Sequence, residues 1–149
     1  MSQSKSLYEQ DFNLWCEDTA EKIRTADYTQ IDWENLLQEV TGLAGRDRRE
    51  LESRLVTLYE HLLKRYYLDL SNNYRGWEIT ILRTKLAIKR ILKDSPSLNK
   101  YFYEIADDCF QEASKIVVKE YGLGSFPKNN PFSTDINQLL GDKDGNVTN

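Results

Sequence analysis

The chain carries one histidine, His61, in the run LYEHLLKRYY (Leu58–Tyr67). One imidazole beside a carboxylate can move a proton, and with further carboxylates it can hold a divalent ion. A helical projection at about 100° per residue puts Leu51, Leu55, Leu58 and Leu62 on one stripe. His61, Arg54 and Glu50 fall along an edge of that stripe, and carrying the projection back through Gly45 and Gly42 brings Glu39 near the same side. Such a polar seam has two readings. It can be a hydrogen-bond network that fixes the register of packed helices. It can also be a site on the inward face of a bundle, with Glu39, His61 and Glu120 as acid–base or metal-assisting groups and Arg54 positioning an anion. The network is the preferred reading, and no bound metal or cofactor is expected.

Other motifs narrow the chemistry further. A single histidine excludes zinc sites built from several. No glycine-rich phosphate loop, GxSxG elbow or HExxH helix occurs. DKDGN (Asp142–Asn146) resembles the start of a calcium loop, but the position that must be glycine is Val147, so no such loop is expected. Cys16 and Cys109 are far apart and form no CxxC pair; both lie in amphipathic stretches and read as plain buried thiols. No run of eighteen apolar residues is present to span a bilayer, and MSQSKSLYEQDF has no apolar run of signal-peptide length. A cytoplasmic location is expected.

The net charge of −4 conceals an asymmetry. Residues 1–60 carry 7 basic and 13 acidic side chains, residues 61–100 carry 9 and 3, and residues 101–149 carry 4 and 8. The simplest account is helices pairing their charges inside one fold. Nucleic-acid binding through the basic 61–100 segment is the less favoured alternative. Arg83, Lys85, Lys89, Arg90 and Lys93 divide between sides of their helix, whereas a phosphate-binding helix presents its charges together.

The elements that position these residues are helical throughout. The spacing predicts a first helix over about 7–24, with Tyr8, Phe12, Trp15, Thr19 and Ile23 on one face. A second opens at Asp32, a good N-cap, with Trp33, Leu36, Leu37, Val40 and Leu43 as its apolar set. It runs on to about residue 70, with a bend or break expected near Gly42 and Gly45. A third helix spans about 74–93 and is apolar around most of its circumference. A fourth, capped by Ser95 with Pro96 at its first position, runs to about 121 and ends at Gly122. A short last helix in STDINQLL has Ser133 or Thr134 as its cap, and a polar tail follows from Gly141. The expected architecture is an all-α bundle of four main helices plus a short C-terminal one, forming a single domain over 1–140.

The runs YEQDFNLWCEDTAEKIR, IDWENLLQEV, RRELESRLVTLYEHLLKRYY, GWEITI, DSPSL and FPKNNPF occur in this order along the chain. With them the sequence resembles domain-of-unknown-function family 29, helical proteins found largely in cyanobacteria. The resemblance covers about 8–140. It implies paired acids where this chain has Gln38 and Glu39, so only Glu39 is retained, which counts against a mechanism that needs both carboxylates. It also implies arginine where Lys85 stands. Arg54, His61, Lys64, Trp77, Ser95, Pro96, Glu120 and Pro127 match the family pattern. The resemblance implies an all-helical fold and brings no activity with it.

The functional expectation is therefore a cytoplasmic, non-catalytic protein-interaction or regulatory module with a protein partner or a self-association surface. The alternative is an enzyme built on the Glu39/His61 seam. Arg54, Lys64, Trp77 and Lys85 are the candidate binding residues, and Glu39, His61 and Glu120 the candidate catalytic ones.

Overall fold

The structure, a computed structural model, describes residues 5–122 and 126–142. Among them every regular element is a helix: α1 (Leu7–Gln10), α2 (Phe12–Arg24), α3 (Trp33–Tyr67), α4 (Tyr74–Asp94), α5 (Leu98–Tyr121) and α6 (Ile136–Leu139). The all-α architecture is as expected, with four main helices and a short C-terminal one. The calcium-like run DKDGN lies outside the described residues beyond Asp142, as does the polar tail.

The expected first helix is in fact two. Asp11 adopts an extended backbone (φ −153°, ψ 94°) and accepts the Leu14 amide at 3.0 Å, ending α1 and capping α2. Asp32 caps α3 as expected, its carboxylate accepting the Asn35 amide at 3.3 Å. Gly42 and Gly45 do not break α3, which continues as one helix of 35 residues. Ser95 and Pro96 form a turn rather than the first residues of a helix, and α5 starts two residues later at Leu98. Gly122 ends α5 with a positive φ of 88°, a conformation that glycine adopts without a Cβ clash. Asp135, not Ser133 or Thr134, caps α6 by accepting the Gln138 amide at 3.1 Å.

The chain divides into two compact units, Met1–Gly45 and Arg46–Asn149. The second holds a dense core. The Leu51, Leu55, Leu58 and Leu62 stripe is fully buried, and Val56, Tyr59 and Leu63 of α3 are buried beside it. They pack with Ile81, Ile88 and Leu92 of α4, with Phe102, Phe110, Ala113 and Val117 of α5, and with Phe132, Leu139 and Leu140 from the C-terminal segment. Tyr59 stands at the centre, edge-on to Phe110 at 5.6 Å and stacked with Phe132 at 6.1 Å. Polar ties hold the elements in register. Tyr101 donates to Glu52, the Cys109 thiol lies 3.8 Å from the Glu52 carbonyl, and Arg65 donates to Glu78 at 2.6 Å.

The first unit has little core. Among the described residues its buried side chains are Trp15, Thr19 and Ile31. Tyr8, Phe12 and Trp15 form an aromatic cluster with ring centroids 4.9–5.9 Å apart. Tyr8 donates its hydroxyl to Glu39.

Candidate functional site

The polar residues singled out in the sequence have separate partners. His61 is half-buried, and its Nδ1 lies 2.8 Å from the Thr57 carbonyl one turn earlier, so Nδ1 carries the hydrogen and donates it. Arg54 and Glu50 are half-exposed and lie 3.8 Å apart on the same helix. They line a cleft of about 200 Å³ with Arg90 and Asp94 of α4, and His61 is not in its lining. Glu39 is engaged by Tyr8, which raises the tyrosine pKa: ionising the phenol would break its hydrogen bond to the carboxylate. Among the described residues, no three His, Cys, Asp or Glu side chains are grouped so as to hold a metal ion.

Glu120 pairs with Lys64, next to a half-buried acid, Glu60, on the same stretch of α3 as His61. Glu60 is half-buried, and desolvation pushes its carboxyl above the usual range. Lys64 and His61 oppose that shift, and Glu120 and Glu112 add to it. Lys64 itself is buried, with its ammonium 3.2 Å from the Glu120 carboxylate and 5.7 Å from the centre of the Tyr121 ring. The Lys64–Glu120 ion pair thus links α3 to α5 close to the charge of Glu60. Glu60 was unremarkable in the sequence because it is one of many acids on a helix; only its burial sets it apart.

Lys85 and Trp77 are both buried. Lys85 is 4% exposed and donates to the Gly141 carbonyl at 3.0 Å, tying α4 to the end of the described C-terminal segment. Trp77 is buried on α4, with its ring 6.1 Å from Tyr74. Cys16, expected to be buried, is exposed, while Cys109 is buried as expected.

The main surprise concerns the start of α3. Trp33, Leu36, Leu37, Val40 and Leu43 form its apolar set, and an amphipathic helix ordinarily turns such a set inward. Instead Trp33 is 56% exposed, Leu37 65%, Val40 55% and Leu43 54%, with Leu36 half-buried. With Ala44 they occupy about 120° of the helix circumference. The half-buried positions of this stretch include Asn35, Glu39 and Gly42. A helix that turns its apolar face outward leaves that face for another surface to cover.

The outer face of α4 is also partly apolar. Ile79, Leu82 and Leu86 are about half-exposed. Arg83, Lys89, Arg90 and Lys93 are exposed on the same side, within about 120° of circumference. The expected division of the basic residues reduces to Lys85, which alone turns inward.

These features define an all-helical protein with a well-packed C-terminal unit and an N-terminal unit whose apolar helix face is uncovered. No helix among the described residues is long and apolar enough to cross a membrane. The chain belongs to the family described as domain of unknown function DUF29, whose model matches residues 7–143. No curated protein matches it. No solved structure matches it either.

Proposed function

We propose that this chain is a non-catalytic protein-interaction module that binds its partner through the outward apolar face of the first turns of α3. The supporting observation is the exposure of Trp33, Leu37, Val40 and Leu43 in a unit that, among its described residues, buries only three side chains. Monomeric proteins rarely leave such contiguous patches uncovered. Removing each of these half-exposed side chains from water contributes about 1–2 kcal/mol, so together they are enough to anchor a complex. The free thiols of Cys16 and Cys109 fit a reducing compartment, and we place the protein in the cytoplasm.

The test is affinity capture from the source cells with a tagged chain expressed beside its untagged counterpart. One bait is unaltered and the other carries Leu37→Glu and Val40→Glu. A protein captured in stoichiometric amount by the first, an untagged copy included, should be lost with the second. Identical captures with both baits would refute the reading.

A further inference from the structure

Both outward faces are apolar, and the one on α3 belongs to a net-acidic unit while the one on α4 is basic. Residues 1–45 carry 3 basic and 9 acidic side chains. Glu34 borders the apolar face of α3, while Glu17 and Glu21 lie on the side of α2 opposite its buried Trp15 and Thr19 and add to the net charge of the unit without lining that face. The outer face of α4 interleaves Ile79, Leu82 and Leu86 with Arg83, Arg90 and Lys93, all exposed. One surface is therefore an apolar face bordered by Glu34 in a unit of net negative charge, the other is apolar and basic, and each spans several helical turns.

We propose that the partner of the α3 face is the outer face of α4 in a second copy of this chain. This rests on the interaction reading above and specifies its partner. Pairing two α3 faces with each other would bring together two units that are each net acidic, which like-charge repulsion disfavours. A nucleic-acid ligand on α4 would satisfy the arginines and lysines but leave Ile79, Leu82 and Leu86 against phosphate and sugar. An acidic amphipathic helix satisfies both sets of side chains. The contact is heterologous, because one surface meets a different surface of its neighbour. Breaking either surface abolishes it, and two differently broken chains still retain one intact contact between them.

That property supplies the test. The purified chain, a Leu37→Glu/Val40→Glu variant and a Leu82→Glu/Leu86→Glu variant are examined by sedimentation velocity over a concentration series. Circular dichroism checks that helix content is retained, as expected for exposed positions. The unaltered chain should self-associate, and each variant alone should be monomeric, its association weakened by about a hundredfold or more. Mixing the two variants should give a 1:1 heterodimer. Arg83→Glu/Arg90→Glu, a change of charge without added apolar loss, should weaken self-association by about tenfold, and added salt should weaken it further.

A chain that is monomeric at every concentration overturns the proposal. If it still loses a captured cellular protein on Leu37→Glu/Val40→Glu, the interaction reading stands with a different partner. Self-association that survives in the α4 variant shows α3 faces pairing with each other and also overturns it. So does a mixture of the two variants that stays monomeric, and so does salt-sensitive binding of the α4 face to a DNA or RNA oligonucleotide by a chain that does not self-associate.

Discussion

Cys16 and Cys109 occupy similar amphipathic runs, yet their chemistry differs because their surroundings do. Cys109 is buried, and loss of solvent with Glu52, Glu112 and Asp108 nearby raises its pKa to about 12, leaving almost no thiolate at neutral pH. Cys16 is exposed on α2. A thiol-specific alkylating reagent should therefore modify one cysteine of the native chain, Cys16, and reach Cys109 only when denaturant opens the core. Mass spectrometry of the peptides checks this, and rapid native labelling at Cys109 would contradict its placement. Glu60 gives a second prediction at this scale. Burial raises its carboxyl above the usual carboxylate range, with Lys64 and His61 only partly offsetting the effect. The folded state thus binds the Glu60 proton more tightly than the unfolded state does. This contribution to stability is fully present below the unfolded pKa and is lost as pH rises through the folded one. Glu60→Gln, which stays neutral, should gain stability relative to the unaltered chain as pH rises from about 4 to 7, by about 1 kcal/mol or less at half burial. Parallel urea titrations at the two pH values measure it; an equal difference at both would show that Glu60 is not desolvated.

At the scale of elements, α3 shows which features periodicity reveals and which it hides. The stripe of Leu51, Leu55, Leu58 and Leu62 is readable from spacing alone, and it is buried. The Trp33, Leu37 and Val40 stripe is just as regular, but periodicity records that a face is apolar, not that anything covers it. Whether an apolar stripe is core depends on what the rest of the chain brings to it, which no local pattern contains. The same limit explains Lys85, whose burial is set by a carbonyl 56 positions away at Gly141. Asp11 was missed for a local reason: it interrupts an amphipathic run without changing the run's period, and only its role as a cap gives it away. The glycines of α3 misled in the opposite sense. Their helix cost of about 1 kcal/mol each was smaller than what the flanking turns contribute, so the helix continues through them. Nothing lies within 4 Å of where a Cβ on Gly42 would stand. Gly42→Ala should therefore be accommodated without a clash and should stabilise α3 by about 0.5–1 kcal/mol, read as a higher midpoint in thermal unfolding followed at 222 nm. A lower midpoint would mean that the helix does not hold its conformation there.

At the scale of the whole molecule, the contrast between the two units sets what should open first. The C-terminal unit buries five leucines of α3 at 1% exposure or less, together with Tyr59, Phe102 and Phe110. Among its described residues, the N-terminal unit has only Trp15, Thr19 and Ile31 out of solvent, plus the Tyr8–Glu39 hydrogen bond. A unit with so little buried area should open by itself at a free-energy cost well below that of global unfolding. The boundary falls at Gly45–Arg46, inside a single helix, so amides of one continuous element should differ in protection on its two sides. In native-state hydrogen exchange, amides over about 37–45 should exchange through local opening, and those over about 51–63 only through global unfolding. Leu55→Ala removes a fully buried side chain and should lower global stability by about 2–5 kcal/mol. That loss should accelerate exchange over 51–63 and leave the rates over 37–45 nearly unchanged, since opening of the first unit does not pass through the core. If the chain self-associates through the α3 face, the slower exchange conferred at high protein concentration should fall on the opposite segment, 33–44. One exchange rate along the whole of α3, responding as a block to Leu55→Ala, would mean that the two units open together and that the exposed apolar face is not an independently adjustable surface.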